Sequence, residues 1–386
     1  MKIIEHYPAA LRIFEGNGPW RILTPVRFFV SVVYGAAVSA RGRFSRGSLR
    51  FSGDPSIGPH ARPRIVSIGN LEIGGGGKTP CTLRLVELIA ERGGRPVVLM
   101  RGYRSSVSER RCFPFLVTAD RLLQTAPGLR FFQLHDLPEY TSGAAPYDDG
   151  ACLARSIGDE AALYHRRGIP VVIDGDRVRG AGAAARLLDP THILMDDGFQ
   201  NLRICKDVDI LLLDARRPFG NGRLFPAGTL RERTSAVERA HVVIFTRAAD
   251  EIVPPEASEL VRGRSVFFAD HVAVDVMRRG GEREPLSYLA GKRVALYSGI
   301  ARPASFEALV ERTGAEPTVS FRFVDHHAYR PGDISRMLEE VPDGVLFLTT
   351  EKDWVKSHHL FPAGIEVGAV TIRMEIKDRH RLACML

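Results

Sequence analysis

The sequence predicts an α/β fold with a mostly parallel sheet, a second, smaller α/β domain behind it, and a helical segment in front. Three observations carry this. First, short apolar runs recur between helical stretches, at residues 95–100, 170–174, 191–195, 208–214, 241–246, 294–298 and 345–349. Strands that alternate with helices pair in parallel, because each return crossing uses the helix. Second, a glycine run at 74–77 closes one β-branched stretch and opens a helical one. Third, Pro254-Pro255 and Gly280-Gly281, with Arg278, Arg279 and Arg283 around them, interrupt the alternation late in the chain. The expected organisation is therefore an N-terminal helical segment over 1–60, a larger domain over 61–280 and a smaller one over 281–386. A length of 386 residues suits that division.

Composition allows a substantial core. Hydrophobic residues make up 45% and charged residues 25%, as in ordinary globular chains. The five cysteines, Cys81, Cys112, Cys152, Cys205 and Cys384, form no C-x-x-C pair and no zinc spacing with His. They read as reduced thiols. The net charge of +8 is uneven. Up to Arg64 there are ten Lys and Arg against Glu5, Glu15 and Asp54, so this segment holds seven of the eight net charges. That asymmetry points the N-terminus at an anionic partner and gives the rest of the chain no nucleic-acid footprint.

The front segment has an uncharged run from Phe28 to Ala40, preceded by Arg21 and Arg27 and followed by Arg41, Arg43 and Arg46. It is shorter than the roughly 17–25 residues that span a bilayer, and nothing before it reads as a cleaved leader. An apolar stretch flanked by arginines suits a helix lying in a membrane interface, where the guanidinium groups meet anionic lipid. The other reading is a buried helix of the soluble fold.

The glycine run carries the first chemistry. Residues 64–70 read as a strand, Gly74-Gly75-Gly76-Gly77-Lys78-Thr79 follows, and 82–92 reads as a helix. Strand, glycine loop, Lys-Thr and helix form the phosphate-loop context, which makes the larger domain P-loop NTPase-like. Glycines let backbone N–H groups curl around phosphate oxygens, and the helix N-terminus adds positive potential. Lys78 would reach the β- and γ-phosphates of ATP, and Thr79 would offer its hydroxyl to Mg²⁺. Glu72 stands where the strict pattern has its first glycine, so a plain glycine-rich turn is the competing reading.

Three apolar runs end in Asp: at Asp174, at Asp196-Asp197 and at Asp214. Ligands of parallel sheets bind beyond the carboxyl ends of strands. Any of the three could therefore hold the metal, with the others as turn residues. Spacing does not choose between them.

Several phrases, in order, resemble the tetraacyldisaccharide 4'-kinases, the lipid A 4'-kinase family. They are Ser67-Ile68-Gly69-Asn70-Leu71 leading into the glycine loop, Arg101-Gly102-Tyr103, Gly158-Asp159-Glu160 and Asp196-Asp197-Gly198-Phe199-Gln200. Arg217-Pro218-Phe219-Gly220-Asn221-Gly222-Arg223-Leu224, Pro226-Ala227-Gly228, Leu230-Arg231-Glu232, Asp325-His326-His327 and Thr350-Glu351-Lys352-Asp353 complete the set. One phosphate loop is weak evidence, but so many phrases in sequence are strong.

The resemblance implies transfer of the γ-phosphate of ATP, with Mg²⁺, to the 4'-hydroxyl of a tetraacylated glucosamine disaccharide 1-phosphate. The product would be lipid IVA, on the way to lipid A. It implies a peripheral or monotopic enzyme at the cytoplasmic face of the bacterial inner membrane, because a substrate with four acyl chains stays in the bilayer. It matches Asp196 and Asp197 to the metal site, with Gln200 and Glu232 as further metal groups. It matches Asp159 and His326 to a catalytic pair that acts with Lys78. Such a pair makes chemical sense, since a sugar hydroxyl is a poor nucleophile until a base takes its proton. Arg101, Asn221, Arg223 and Arg231 fall in phrases that would bind substrate, the arginines at its phosphate or as ordinary surface residues. Asp159 could instead start a helix, and His327 could take the role of His326.

Two departures stand out. Asn201 replaces the His that the family carries after its Asp-Asp-Gly-Phe-Gln phrase. The stretch of about 105–155 is longer than in the family, and Thr141–Pro146 within it reads as a loop. Two other functions compete: a membrane-associated P-loop ATPase or GTPase switch, and a non-catalytic nucleotide-binding scaffold. Thr350-Glu351-Lys352-Asp353 has the wrong order for a guanine-reading motif, and neither alternative needs an Asp–His pair.

Overall fold

The computed structural model describes residues 1–6, 29–36, 38, 62–102, 115–117, 122–124, 130–132 and 157–386. The contacts divide the chain into two compact units, and neither is continuous in sequence. The larger takes Ile22–Gly143, Ser156–Asp270 and Met374–Leu386; the smaller takes Met1–Arg21, Ala144–Arg155 and His271–Arg373. The sequence pattern places the smaller domain at 281–386. In the structure the division falls at 270/271, and the C-terminal helix goes to the larger unit.

The chain opens with β1 (Lys2–His6), a strand of the smaller unit, and then α1 (residues 29–36). The larger unit continues with β2 (Arg64–Asn70), α2 (Lys78–Ala90), β3 (Pro96–Met100), β4 (Phe115–Val117), β5 (Leu122–Gln124) and β6 (Arg130–Phe132). Next come α3 (Asp159–Arg166), β7 (Val171–Ile173), α4 (Arg177–Leu188), β8 (His192–Asp196), β9 (Val208–Asp214), β10 (Val242–Thr246), α5 (Pro255–Ser258) and β11 (Ser265–Arg278), which belongs to the smaller unit from His271 on. The strand order is β11-β10-β9-β2-β8-β3-β7-β4-β5-β6. From β11 to β7 every pairing is parallel. The three short strands β4, β5 and β6 add an antiparallel edge. They are the described part of the 105–155 stretch; the loop expected at 141–146 lies outside the described residues.

Burial explains the sequence pattern. A parallel sheet is covered on both faces, so its strands are apolar throughout instead of alternating. In β2 every residue but Arg64 is buried, and β10 is buried along its whole length. One apolar cluster gathers Leu71, Phe199, Leu211, Phe219 and Phe245. Another gathers Ile65, Leu99, Val172, Ala181, Ile193 and Met195. α4 starts where Asp176 accepts hydrogen bonds from the N–H groups of Val178 and Arg179, a capping arrangement worth ~1 kcal/mol.

The smaller unit contains β12 (Arg283–Pro285), β13 (Arg293–Ser298), α6 (Pro303–Glu311), β14 (Glu316–Phe323), α7 (Pro331–Glu340), β15 (Leu346–Thr350), α8 (Glu351–Ser357) and β16 (Val367–Ile376). β16 ends, and α9 (Arg379–Met385) lies, in the larger unit. The order β1-β14-β13-β15-β16 is parallel throughout, and β12 runs antiparallel to β11. Val294, Leu296, Phe306, Val310, Leu346 and Leu348 form its core. Prolines at the first turns of α6 and α7 give up an N–H that had no helical partner. Both α/β halves of the expected architecture are present.

Candidate active site

Chain direction creates the site. β2 and β8 are adjacent, parallel and in register from Arg64↔His192 to Ile68↔Asp196. After β8 the chain crosses to β9, on the far side of β2. The carboxyl ends of β2 and β8 thus sit where the sheet order reverses, the usual ligand position in such sheets. The glycine loop leaves β2 there. Gly74 and Gly77 have φ of 108° and 79°, a region that side chains disfavour. Gly76 packs so tightly that a Cβ would come 2.4 Å from Asn70 Nδ2. Lys78 then begins α2, so the helix N-terminus faces the loop. Glu72, the departure from the strict motif, forms a bridge with Leu230, and Thr229 Oγ1 donates to its Oε1 at 2.7 Å. It anchors the outside of the loop.

Several of the expected site residues come together here. Lys78 Nζ donates to Asn70 Oδ1 at 3.3 Å and lies 3.5 Å from Asp197 Oδ1. Thr79 Oγ1 donates to Asp196 Oδ2 at 3.3 Å. Arg231 Nη1 donates to both oxygens of Asp197 at 2.8 Å. Gln200 Nε2 donates to the Asn70 carbonyl at 2.9 Å, and its Oε1 is buried without a hydrogen-bond partner among the described residues. Geometry also chooses among the three strand-end acids. Asp174 is bound twice by Arg179, at 2.8 Å each. Asp214 is held by Arg247. Of the three ends, Asp196-Asp197 is the one that meets the Lys-Thr pair.

The two adjacent aspartates shift in opposite directions. Burial, then Glu160, pushes the Asp196 carboxyl up, with Tyr164 and Lys78 pulling the other way. Loss of solvent also works against charge on Asp197, but Lys78 and Arg231 outweigh it and hold it below the usual range. Environments that split two like groups are a mark of functional sites.

Other site residues are placed differently. Asp159 is the first residue of α3, behind Gly158 at its N-cap. Arg101 and Arg223 are exposed. Asn221 organises the following loop: its Nδ2 donates to Ala227 O and its Oδ1 accepts from Arg223 N. Glu232 forms a two-point ion pair with Arg239, at 2.9 and 3.0 Å. Arg239 in turn lies 4.6 Å over the Phe199 ring. Glu232 therefore braces the turn after β8 from behind.

His326 belongs to the smaller unit. It sits in the turn after β14 with φ of 130°, a strained backbone for any residue but glycine. Lys352 Nζ donates to its Nε2 at 2.8 Å. An ammonium only donates, so Nε2 must accept and the ring proton sits on Nδ1. Its neighbour His327 is bound to Asp333 at 2.9 Å and stacked on Phe323 at 4.7 Å. Asp333 also closes the capping box of α7, so His327 is part of a folding element. Asp353 is fully buried and accepts from Gly299 N and Thr350 Oγ1. It is a helix-start residue with no face left to read a base.

Three contributors have no role assigned from the sequence, although Asn70 lies in the Ser67–Leu71 phrase. Asn70 ties the glycine loop to Lys78. Arg177, buried, donates to the carbonyls of Asp174 and Asp196. Tyr164 OH donates to Asp196 Oδ2 at 2.7 Å. Arg177 carries a signal, since it follows a strand and an Asp-Gly-Asp turn. Tyr164 carries none, because an aromatic on an apolar helix face reads as core.

The donors at the end of β8 suit a divalent cation. Mg²⁺ in kinases takes one or two carboxylates and otherwise phosphate oxygens and water. Asp196, Thr79 and the orphaned Gln200 Oε1 suit that, and a closed cage of three or more acidic or imidazole ligands is neither required nor present among the described residues.

Fold and glycine loop together define a P-loop NTPase-like protein with paired aspartates at the end of β8. The model of the tetraacyldisaccharide-1-P 4'-kinase (LpxK) family matches residues 21–126 and 142–386; the chain belongs to that family. A tetraacyldisaccharide 4'-kinase of Geobacter sulfurreducens is 32% identical, over 95% of this chain and 93% of that one. One of Anaeromyxobacter dehalogenans is 34% identical, over 88% and 83%. The crystal structure of LpxK from Aquifex aeolicus in complex with ATP superposes with a TM-score of 0.65, covering 95% of this chain and 97% of that one. At 23% identity this likeness speaks for the fold.

Proposed function

We propose that the protein transfers the γ-phosphate of ATP to the 4'-hydroxyl of a tetraacylated glucosamine disaccharide 1-phosphate, giving lipid IVA. The observation that carries this reading is the convergence of Lys78, Thr79, Asp196 and Asp197 at the N-terminus of α2. Phosphoryl transfer asks the protein for positioning and charge more than for covalent chemistry. Lys78 would leave Asp197 for the phosphates, and Arg231 would keep Asp197 in place. Mg²⁺, held by Asp196 and Thr79, would neutralise charge on the phosphate oxygens. Asp159 and His326 would take the proton of the sugar hydroxyl. His326 would take it on Nε2, the nitrogen to which Lys352 donates before the acceptor arrives.

The same reading puts the enzyme against the cytoplasmic face of the inner membrane. α1 offers support. Ser31 is buried against the loop that carries Arg223: its hydroxyl donates to Leu224 O at 3.0 Å and accepts from Ala227 N at 2.9 Å. Tyr34 meets the Phe225 ring edge-on at 6.1 Å. Phe29, Val30, Val32 and Val33 stay exposed, Phe29 at 69%. An apolar face rooted beside a site loop suits an enzyme whose acceptor is in a bilayer. Among the described residues no helix is long and apolar enough to cross a membrane. The flanking arginines lie outside the described residues.

The test is ATP-dependent phosphorylation of purified tetraacyldisaccharide 1-phosphate in detergent micelles with Mg²⁺. The chain should make the bisphosphate, and Asp159→Ala and His326→Ala should each fall about 10²-fold or more. A chain that hydrolyses ATP but never phosphorylates the disaccharide is instead an ATPase or switch. Co-sedimentation with anionic vesicles tests the membrane: Phe29→Ser with Val33→Ser should reduce binding several-fold without lowering turnover on a micellar substrate.

A further inference from the structure

We infer that Tyr164 is a positioning residue: a buried strut that fixes which oxygen of Asp196 is turned to the metal. The inference rests on the nucleotide-binding reading of the site. Asp196 Oδ2 receives two hydroxyl donors, Tyr164 OH at 2.7 Å and Thr79 Oγ1 at 3.3 Å. Tyr164 is fully buried and Asp196 is 3% exposed. Water therefore cannot replace the phenol, and a carboxylate in such a place takes the donors the protein supplies. With Oδ2 engaged twice, Oδ1 is the oxygen that can accept from a metal-bound water or meet the ion. Two donors from separate elements, α2 and α3, also stop the carboxylate from turning about its χ2. A donor beyond the metal ligand that fixes its orientation commonly controls metal affinity by 10–100-fold.

The strut has a second end. Tyr164 lies on α3, the helix that begins with Asp159. The bond from Tyr164 to the end of β8 ties that helix directly to Asp196, and so links the expected base to the metal carboxylate. Only a phenol on this helix face reaches; phenylalanine would fill the same volume and leave Oδ2 with Thr79 alone.

Tyr164→Phe in the full chain tests this by binding, apart from turnover. Mn²⁺ affinity in the presence of a non-hydrolysable ATP analogue is read by electron paramagnetic resonance, and nucleotide affinity in EDTA by calorimetry. The expected result is a loss of about 10-fold for Mn²⁺ with metal-free nucleotide binding within twofold of the unsubstituted chain. Unchanged Mn²⁺ affinity would overturn the inference, as would equal loss of both affinities, which marks a merely structural residue. If the variant does not fold, a crystal structure of the unsubstituted chain with Mg²⁺ and the analogue decides. Oδ1 toward the metal with Tyr164 on Oδ2 supports the inference; Oδ2 on the metal refutes it. A chain that shows the Mn²⁺ effect yet never phosphorylates the disaccharide would lose the lipid-kinase reading and keep this one.

Discussion

At the end of β8, Asp196 and Asp197 are gripped from several elements at once, by Tyr164, Thr79, Lys78 and Arg231. In the turn after β14, the adjacent pair His326 and His327 is divided between two tasks. His327 is locked by Asp333 and Phe323 into the start of α7. His326 is held on a strained backbone with Lys352 at its Nε2. The contrast follows from what each chemistry needs. In the proposed reaction, carboxylates that would meet a metal and a triphosphate are aimed before the ligand arrives, Asp196 by donors on its Oδ2 and Asp197 by Lys78 and Arg231. His326, the base of the proposed reaction, would have to be reachable, and its neighbour takes the structural work. Strain at His326, of order 1–3 kcal/mol, is held by a turn in which both histidine N–H groups donate to Val324 O.

The comparison can be broken most decisively at Lys78. Lys78→Ala should cost about 10³-fold in turnover in a radiolabelled phosphate-transfer assay, because a cation aimed at the phosphates is lost. Turnover near that of the unsubstituted chain would remove the phosphate-loop reading. Next come the two histidines. His326→Ala should lower turnover about 10²-fold with little change in urea midpoint. His327→Ala should leave turnover of the folded enzyme within a few-fold and cost ~1–3 kcal/mol of stability, as Asp333 loses a half-buried partner. The reverse pattern would exchange their roles.

The smallest expected effect concerns acid stability of the smaller unit. Burial pushes the Glu307 carboxyl up, but bonds from Arg322 and Ser320 outweigh it and hold it below the usual range. A carboxyl lowered on folding adds stability above its unfolded value, near 4.3, and loses it as pH falls through the folded value. Glu307→Gln should therefore be less stable at pH 7 by ~1–3 kcal/mol and show a flatter urea midpoint between pH 5 and 3. Equal slopes for both proteins would show that the contact is not coupled to acid unfolding.

Much of this architecture is legible in the amino-acid order. Seven apolar runs form strands, because burial on both faces leaves a parallel strand no polar alternation. The glycine loop is legible despite Glu72, because backbone and helix position carry its function. Choosing Asp196 over Asp174 and Asp214 is not legible from spacing: all three end apolar runs, and the other two are captured by Arg179, five residues on, and by Arg247, 33 residues on. Tyr164 is hidden for a related reason, since its partner lies 32 residues away and its own surroundings are apolar. The return of α9 to the larger unit, where Leu386 O meets His192 and Met385 O meets Arg64, is a long-range fact with no local signature.

The Ser31 contact bears on how the protein can be trimmed. Removing the front of the chain to improve handling would take away both the acceptor of Ala227 N and the donor to Leu224 O, in the loop that Asn221 organises. Such a shortened enzyme should keep its nucleotide affinity and lose grip on acceptor. Inhibitor screens run on it would then be blind to compounds that wedge between α1 and that loop.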